Sequence, residues 1–553
     1  MPTAPPTVRA AVRADGAKCL AWAFVAVGAV VVSWTLATPL MAAPDEPAQI
    51  NNAAAVVRGQ LDEPTHPYFD IGRESTVRVP AWVGNAAALA CFAFKPSVPA
   101  SCSPRVAPDP RLVNASTQFS NYPPLYFAVV GLPTLWWSGS SGLYAARLAG
   151  DLLTGGLLAL GLYLLARYHP RRLPLLGALV ALSPMVFFLS SIVNDSGLEV
   201  AAAFAAWCGG LCLIEREVPE RSLVLLTGLA FLLLILARPI SPANAAVILV
   251  VLGLAAGWKR THRLLTTRAL RPGIVLVVVA GAVALTSLAI GGDPSLLGAR
   301  PPKQLTFLAS AASSLRLTNV RLLQSIGDFG WLDTPVPRFT TVVWTTAVGA
   351  LAATALVRSR SCRRALPVLV LAVIAAPVVF EAPLVNQVGN YWQGRYELPL
   401  LMGVPLVAST MARRVARHRR PAPPVGRILV VASGGAMLAV AQLAAFLTGL
   451  HRYETGLGVR PGTPATWSPP GGHGAVIVLF LVGQGLLVAF AAFYAGHAGS
   501  VARSPTDRQV TSDVRPNRRS RLLPSHVDRP SGAAGNPPTD AAADAPTAGG
   551  GAG

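Results

Sequence analysis

Charge is scarce in this chain. Of 553 residues only 13% are Asp, Glu, Lys or Arg and 52% are hydrophobic, where a soluble domain carries about 25% charge. That balance excludes a soluble globular protein, and repeated apolar runs of spanning length point to a polytopic membrane protein. Acidic residues are the scarcer sign: 25 Asp and Glu against 46 Lys and Arg leave a net charge of +21. In a soluble chain such an excess suggests nucleic acid. Here the cations cluster in short loops between apolar runs, the pattern of the positive-inside rule, so no nucleic-acid partner is expected. The chain also lacks a GxxxxGK[ST] phosphate loop, an HExxH pair and any Cys/His set with zinc spacing, and it has no repeat of fixed period.

What the chain does have is apolar runs. Segments of spanning length fall at about 19–41, 143–166, 173–191, 198–214, 222–237, 240–258, 273–290, 340–357, 365–380, 397–412, 427–449 and 474–498. The N-terminal run follows Arg9, Arg13 and Lys18 but is too long for a removed signal peptide and lacks its small-residue cleavage site, so it is expected to remain as the first span. A shorter apolar stretch, Pro123 to Trp137, ends in two tryptophans. If it does not span, Arg167/Arg171/Arg172, Arg216/Arg221, Lys259 to Arg271, Arg358 to Arg364 and Arg413 to Arg420 all fall on one side. If it spans, every later loop changes sides and the charge rule fails. It therefore reads as an interfacial helix with its tryptophans at headgroup level.

The expected organisation is a cytoplasmic N-terminus (1–18), a first span (19–41), an extracytoplasmic loop with interfacial helix (42–142), and spans two to seven (143–290). A second extracytoplasmic loop (291–339), spans eight to twelve (340–498) and a cytoplasmic tail (499–553) follow. The tail is rich in Pro, Gly, Ala, Arg and Asp, a composition unable to bury enough apolar surface to order itself. Of six cysteines, Cys19, Cys208 and Cys212 lie in or beside apolar runs and Cys362 in a basic loop. Cys91 and Cys102 stand in a Pro-rich loop with ten residues between them. On an oxidising side of the membrane a disulfide between those two is expected to restrain the loop.

Directly after the first run stands Pro44-Asp45-Glu46-Pro47-Ala48-Gln49. A carboxylate pair where a helix leaves the bilayer is either a solvated helix end or the reactive edge of a cavity at the membrane surface. The topology puts further polar residues on the same side. These are Asp70, Glu74 and Asp109 in the first loop, Asn194, Asp195 and Glu199 near one turn, and Arg238 after the fifth span. Asp328, Asp333, Glu381, Gln393 and Arg395 follow further along. Such groups at the ends of apolar helices cost free energy unless solvated or paired, so their convergence suggests a polar cavity. Its chemistry suits transfer of a group from a lipid-linked phosphate: a carboxylate as general base and arginine forks holding the phosphate leaving group. Asp45 and Glu46 could alternatively hold a divalent cation. Asn114-Ala115-Ser116 and Asn194-Asp195-Ser196 match a glycosylation sequon, a pattern common by chance.

Several stretches together carry a resemblance: Pro44 to Ala48, Asn121-Tyr122-Pro123-Pro124-Leu125-Tyr126, Ala145 to Leu148, Phe188 to Glu199, Ala237-Arg238-Pro239, Gly327 to Pro335 and Gln393 to Pro399. Over about residues 20–450 the chain resembles the predicted membrane protein family 2142 among the domains of unknown function. Gln49 stands where that family's PDEPAH pattern has His. More distantly, the order of these stretches is similar to the GT-C membrane glycosyltransferases, among them protein mannosyltransferases and lipid A aminoarabinose transferases. That likeness implies a GT-C-like all-α fold and a polyprenyl-phosphate sugar donor, with Asp45 as base, Glu46 beside it, and acceptor or metal binding at the acidic pair. Tyr122 replaces the basic residue those enzymes often carry before Pro-Pro-Leu, which leaves the donor phosphate to Arg238 or Arg395.

The expectation is an all-α polytopic protein of the bacterial inner membrane, with about twelve spans, an interfacial helix, two long outer loops and both termini cytoplasmic. It would transfer a sugar, with inversion, to an envelope glycan or lipid acceptor. The rival readings are a flippase for a lipid-linked glycan, expected to show inverted repeats and midplane charges, and a non-catalytic membrane scaffold. Asp45 and Glu46 are the candidate catalytic pair; Tyr122, Asn194, Asp195, Arg238, Asp328, Asp333, Gln393 and Arg395 are the candidate substrate-binding residues.

Overall fold

The computed structural model of the chain describes residues 6–61, 65–68, 72–170, 173–290, 304–411, 424–460 and 462–496. Asp70, Arg171, Arg172, Arg413, Arg414, Arg417, Arg419, Arg420, the first part of the second long loop (291–303) and the tail lie outside the described residues.

Lipid offers no hydrogen-bond partners, so an apolar run there closes its own backbone bonds as a helix. Each of the twelve apolar segments is helical over most of its described length. The first is α1 (Pro6–Ala37); after it comes α2 (Glu46–Val56) and then β1 (Thr65–Tyr68), β2 (Gly72–Pro80), the single turn α3 (Ala81–Gly84) and β3 (Leu112–Thr117). These three strands form an antiparallel sheet in the order β1-β2-β3, with Val77 opposite Ala115. Sequence reading did not anticipate the sheet, although its alternation is visible in hindsight. Ser75, Val77, Val79, Ala115 and Thr117 are buried while Thr76, Arg78, Asn114 and Ser116 are exposed, the period of two that a half-buried strand requires. The stretch Pro123 to Trp137 forms α4 (Pro124–Gly131) and a 3₁₀ turn, with Leu132, Leu135, Trp136 and Trp137 exposed.

Then follow α5 (Gly139–Tyr168), α6 (Pro174–Ala181), α7 (Pro184–Ser190), α8 (Asp195–Glu215), α9 (Arg221–Ile235), α10 (Ser241–Ala256), α11 (Trp258–Thr266) and α12 (Arg271–Ile290). The second long loop carries α13 (Phe307–Arg316), α14 (Thr318–Gly327) and a hairpin of β4 (Asp328–Phe329) and β5 (Thr334–Pro335). The rest is α15 (Arg338–Arg358), α16 (Arg360–Phe380), the turn α17 (Val385–Val388), α18 (Gly394–Leu401), α19 (Gly403–Met411), α20 (Pro424–Glu454) and α21 (His473–Gly496).

Among the described residues eight helices are long and apolar enough to cross a membrane, or nine if the bent pair α10 and α11 counts as one. The expected number was twelve. The difference lies in four segments. Segment 173–191 breaks into α6 and α7 at Ser183-Pro184, and 397–412 breaks into α18 and α19, with Pro399 inside α18. Proline has no N–H and its ring clashes with the preceding turn. Such breaks are tolerated at membrane depth only where protein covers them; α7 and α19 are buried along their whole lengths. The other two, α9 and α10, have 15 and 16 residues and fall short of a full span by themselves.

Phe329 plants the second long loop in the core. Its ring lies 4.8 Å from Trp34 of α1 and 5.2 Å from Phe188 of α7. The turn after it runs through Gly330 at φ 63°, where a Cβ would come within 2.5 Å of Asp333 Oδ1; glycine adopts that backbone without a side-chain clash.

Cys91 and Cys102 are joined in a disulfide, Cα to Cα 6.1 Å. The loop they close is held a second time by Arg452 of α20, whose guanidinium donates to the carbonyl oxygens of Phe92, Lys95 and Val98 and to Asp333 Oδ2. Closing so short a loop stabilises by about 2–3 kcal/mol on chain entropy. The double substitution C91S/C102S is expected to lower the thermal midpoint of the purified protein. An unchanged midpoint would mean that Arg452 alone orders the loop.

Candidate active site

The chain leaves α1 through Pro39 and reverses at two residues with positive φ, Met41 (63°) and Asp45 (70°), before entering α2 with Pro47 in its first turn. Asp is among the few residue types with a short polar side chain that tolerates the left-handed region. The reversal sends Glu46 and Asp45 to different partners.

Glu46 points inward. Its carboxylate forms a two-pronged pair with Arg147 of α5, Nε to Oε1 2.7 Å and Nη2 to Oε2 2.8 Å, and neither side chain has any exposure. Arg147 also donates to the carbonyl oxygens of Thr35, Thr38 and Pro39, groups that the end of α1 leaves without helical partners. The Val193 amide donates to Glu46 Oε1 as well. Oε1 thus accepts twice and Oε2 once, and the pair locks the end of α1 and the stretch after α7 to the first part of α5.

Asp45 points the other way. Its Oδ2 accepts from Arg395 Nη2 at 2.5 Å, and Gln118 Nε2 approaches Oδ1 at 3.4 Å. Arg395 Nη2 also donates to the Tyr396 hydroxyl at 3.1 Å. The Tyr396 ring is a platform for two cations: the Arg395 guanidinium carbon lies 5.0 Å from its centroid and that of Arg238 4.5 Å, within the range of cation–π attraction. Arg238 in turn meets Asp195 at 3.4 Å and Glu199 at 3.2 Å. Glu199 is completed by Ser241 and Asn244, each at 2.8 Å. Tyr122 is within electrostatic reach of Arg238, Asp195, Tyr396 and Asp45. The side chain of Arg395 is 2% exposed and that of Asp45 30%, so Asp45 is where the cluster opens outward. Three atoms inside it keep unused hydrogen-bonding capacity: Asp195 Oδ2 and the Nε of Arg238 and of Arg395 are buried without a hydrogen-bond partner.

Asn194 supports this arrangement. Its Oδ1 caps α8 by accepting from the Ser196 amide at 2.9 Å, the usual way a helix start is satisfied, and its Nδ2 donates to the Pro44 carbonyl. Gln49 pairs reciprocally with Asp195: the Asp195 amide donates to Oε1 at 2.8 Å and Nε2 donates to Oδ1 at 3.2 Å. Gln393 is the residue before α18, and its Oε1 is buried without a partner. Asp333 instead pairs with Arg452. Asp328 sits in the hairpin, where burial pushes its carboxyl up to about 6. The hairpin still packs beside the site, for Trp331 Nε1 donates to the Met41 carbonyl.

Of the sequence-derived candidates, then, Asp45, Tyr122, Asp195, Arg238 and Arg395 come together from five separate stretches of the chain, with Asn194 and Gln393 adjoining. Glu46 pairs with Arg147, Asp333 pairs with Arg452 and Asp328 sits in the hairpin. Sequence reading overlooked Tyr396, whose only signal was its place next to Arg395. It also overlooked Arg321, the partner of Glu381, which accepts from Arg321 Nη2 at 2.6 Å and from the Trp392 amide at 2.7 Å, fixing the stretch that leads into Arg395. The donor set does not fit a divalent cation at the acidic pair. Both Glu46 oxygens are on Arg147 and Asp45 faces a guanidinium, and among the described residues no group of three or more His, Cys, Asp or Glu could hold a metal ion.

No curated protein sequence matches the chain. Among solved structures it is similar to ArnT from Cupriavidus metallidurans in the apo state, at TM-score 0.39 and 14% identity, covering 85% of this chain and 76% of that one. The same protein bound to undecaprenyl phosphate gives TM-score 0.40 and 15% identity over the same shares. Residues 29–404 match the predicted membrane protein family DUF2142, to which this chain belongs.

Proposed function

We propose that this protein is a membrane glycosyltransferase of GT-C type that moves a sugar from a polyprenyl-phosphate donor to an envelope glycan or lipid on the outer face of the bacterial inner membrane. The observation that carries the reading is the Asp45–Arg395–Tyr396–Arg238–Asp195 cluster: one outward-facing carboxylate beside two guanidinium groups at the end of an apolar bundle. The orientation rests on the basic loops, which leave the opposite ends of the same helices; Arg216, for example, donates to the Tyr168 carbonyl where α5 and α8 end, and cations favour the cytoplasmic side.

In the reaction, Asp45 accepts the proton of the acceptor hydroxyl as its oxygen attacks the anomeric carbon of the donor sugar. The bond from that carbon to the phosphate oxygen breaks on the opposite face, and the electron pair leaves with polyprenyl phosphate. Configuration at the carbon inverts. Arg238 and Arg395 hold the growing phosphate charge in a site with little water, where donors already in place are most effective. Arg395 retains Nε for this task. Tyr396 keeps the two like charges at a fixed spacing, and Asp195 and Glu199 offset their repulsion.

The test is transfer by the purified protein in liposomes, with radiolabelled polyprenyl-phosphate sugars and envelope extract as acceptor. Label is expected in the acceptor fraction, with one polyprenyl phosphate released per sugar. Donor that crosses the bilayer uncleaved would establish a flippase instead. Arg238→Lys keeps the charge but loses the planar fork, and is expected to raise KM for the donor about 10-fold, which corresponds to one lost charge-assisted hydrogen bond. An unchanged KM would remove Arg238 from the phosphate site.

A further inference from the structure

The end of the bundle opposite Asp45 carries a helix that the transfer reaction does not use. α10 runs down from Ser241 and stops at Gly257; α11 then leaves at 115° to it. Gly257 makes the corner with φ 81°, a conformation costly for residues with a Cβ. Thr261 secures the corner by donating to the carbonyl oxygens of Gly253 and Gly257.

α11 is held on one side only. Leu264 is buried, and Arg260 Nε donates to the Ile214 carbonyl at the end of α8. The other side is bare: Trp258 is 80% exposed and Leu265 57%, seven residues apart and so on one helical stripe. Beside that stripe runs a second exposed one of Lys259 and Arg263, four residues apart. From Trp258 to Arg271 the chain has five cationic residues and no acidic one. A short helix with an aromatic and aliphatic stripe next to a cationic one, lying across the end of a membrane helix, matches the geometry of a bilayer interface.

We infer that α11 is a docking surface for anionic phospholipid. The Trp258 and Leu265 side chains enter the headgroup boundary while Lys259 and Arg263 bind lipid phosphates. Continuity with α10 places α11 at the depth where the apolar run ends, and charge complementarity selects anionic over zwitterionic lipid. A basic patch this far from Asp45 has no part in the proposed transfer, so the inference stands or falls independently of it.

The full-length protein, purified in detergent, is titrated with phosphatidylglycerol or phosphatidylcholine and the bound lipids are counted by native mass spectrometry. Each cation at such a surface contributes roughly fivefold to affinity. The pair K259Q/R263Q is therefore expected to weaken phosphatidylglycerol binding about 30-fold and leave phosphatidylcholine unchanged. Trp258→Ala is expected to weaken both lipids, and K259R/R263K to bind phosphatidylglycerol like the parent, which separates lost charge from lost folding. Equal affinity for the two lipids in the parent overturns the inference. So does an equal loss from the control pair K95Q/R111Q at the other end of the bundle.

Discussion

Asp45→Asn is expected to lower kcat for sugar transfer by about 10²–10⁴-fold, the range for loss of a general base, with the protein still folded and still binding donor. Asn is the informative replacement because residue 45 sits at φ 70°, which Asn tolerates and Ala does not. The amide keeps an oxygen for Arg395 but takes no proton. Since the side chain is partly exposed and caps nothing within α2, stability should change little. Measuring kcat and donor KM separately distinguishes base from phosphate anchor: a fall in kcat at constant KM belongs to the base, whereas a rise in KM would mean that Asp45 acts by orienting Arg395. Full turnover by the Asn variant would end the assignment.

Glu46→Gln, one residue away, is expected to act on stability instead and to do so strongly. It removes the negative charge facing a guanidinium that has no exposure. Stripping one partner from a buried pair costs about 3–5 kcal/mol, a large share of the stability of most domains. The measurable result is a steep fall in folded yield and thermal midpoint in detergent. Replacing both partners, as in E46L/R147M, is expected to recover only part of the loss. Arg147 also donates to the carbonyls of Thr35, Thr38 and Pro39, and those of Thr35 and Thr38 would lose that donor in a buried place. If Glu46→Gln were as stable as the parent, the pair would not lock the helix exits.

The contrast between these neighbours marks what a sequence can and cannot convey here. Apolar runs and the sidedness of arginines led to the helices and to Arg238 and Arg395, since isolated cations on the acidic side stand out against the charge rule. Resemblance alone favours Asp45 over Glu46 as the base; the residues themselves offer no physical ground for it, because the distinction is made by Arg147, 101 residues away in the chain. The number of long helices was overestimated because hydropathy averages across Ser183-Pro184 and Met402, whereas a backbone breaks at single residues. The sheet in the first loop went unread because the partners β2 and β3 are separated by the disulfide loop.

The clamp that Arg452 places on the first loop has a consequence in time. Its acceptors at Phe92, Lys95 and Val98 precede it by 354 to 360 residues, and a ribosome adding roughly 5–20 residues per second needs about 20–70 s to cover that distance. Throughout that interval the loop with Cys91 and Cys102 is without its clamp, and the Ala42 carbonyl awaits the Tyr453 hydroxyl. The reversal at Asp45 is synthesised early but closed over late, so the end of the bundle that carries Asp45 is among the last parts to assemble.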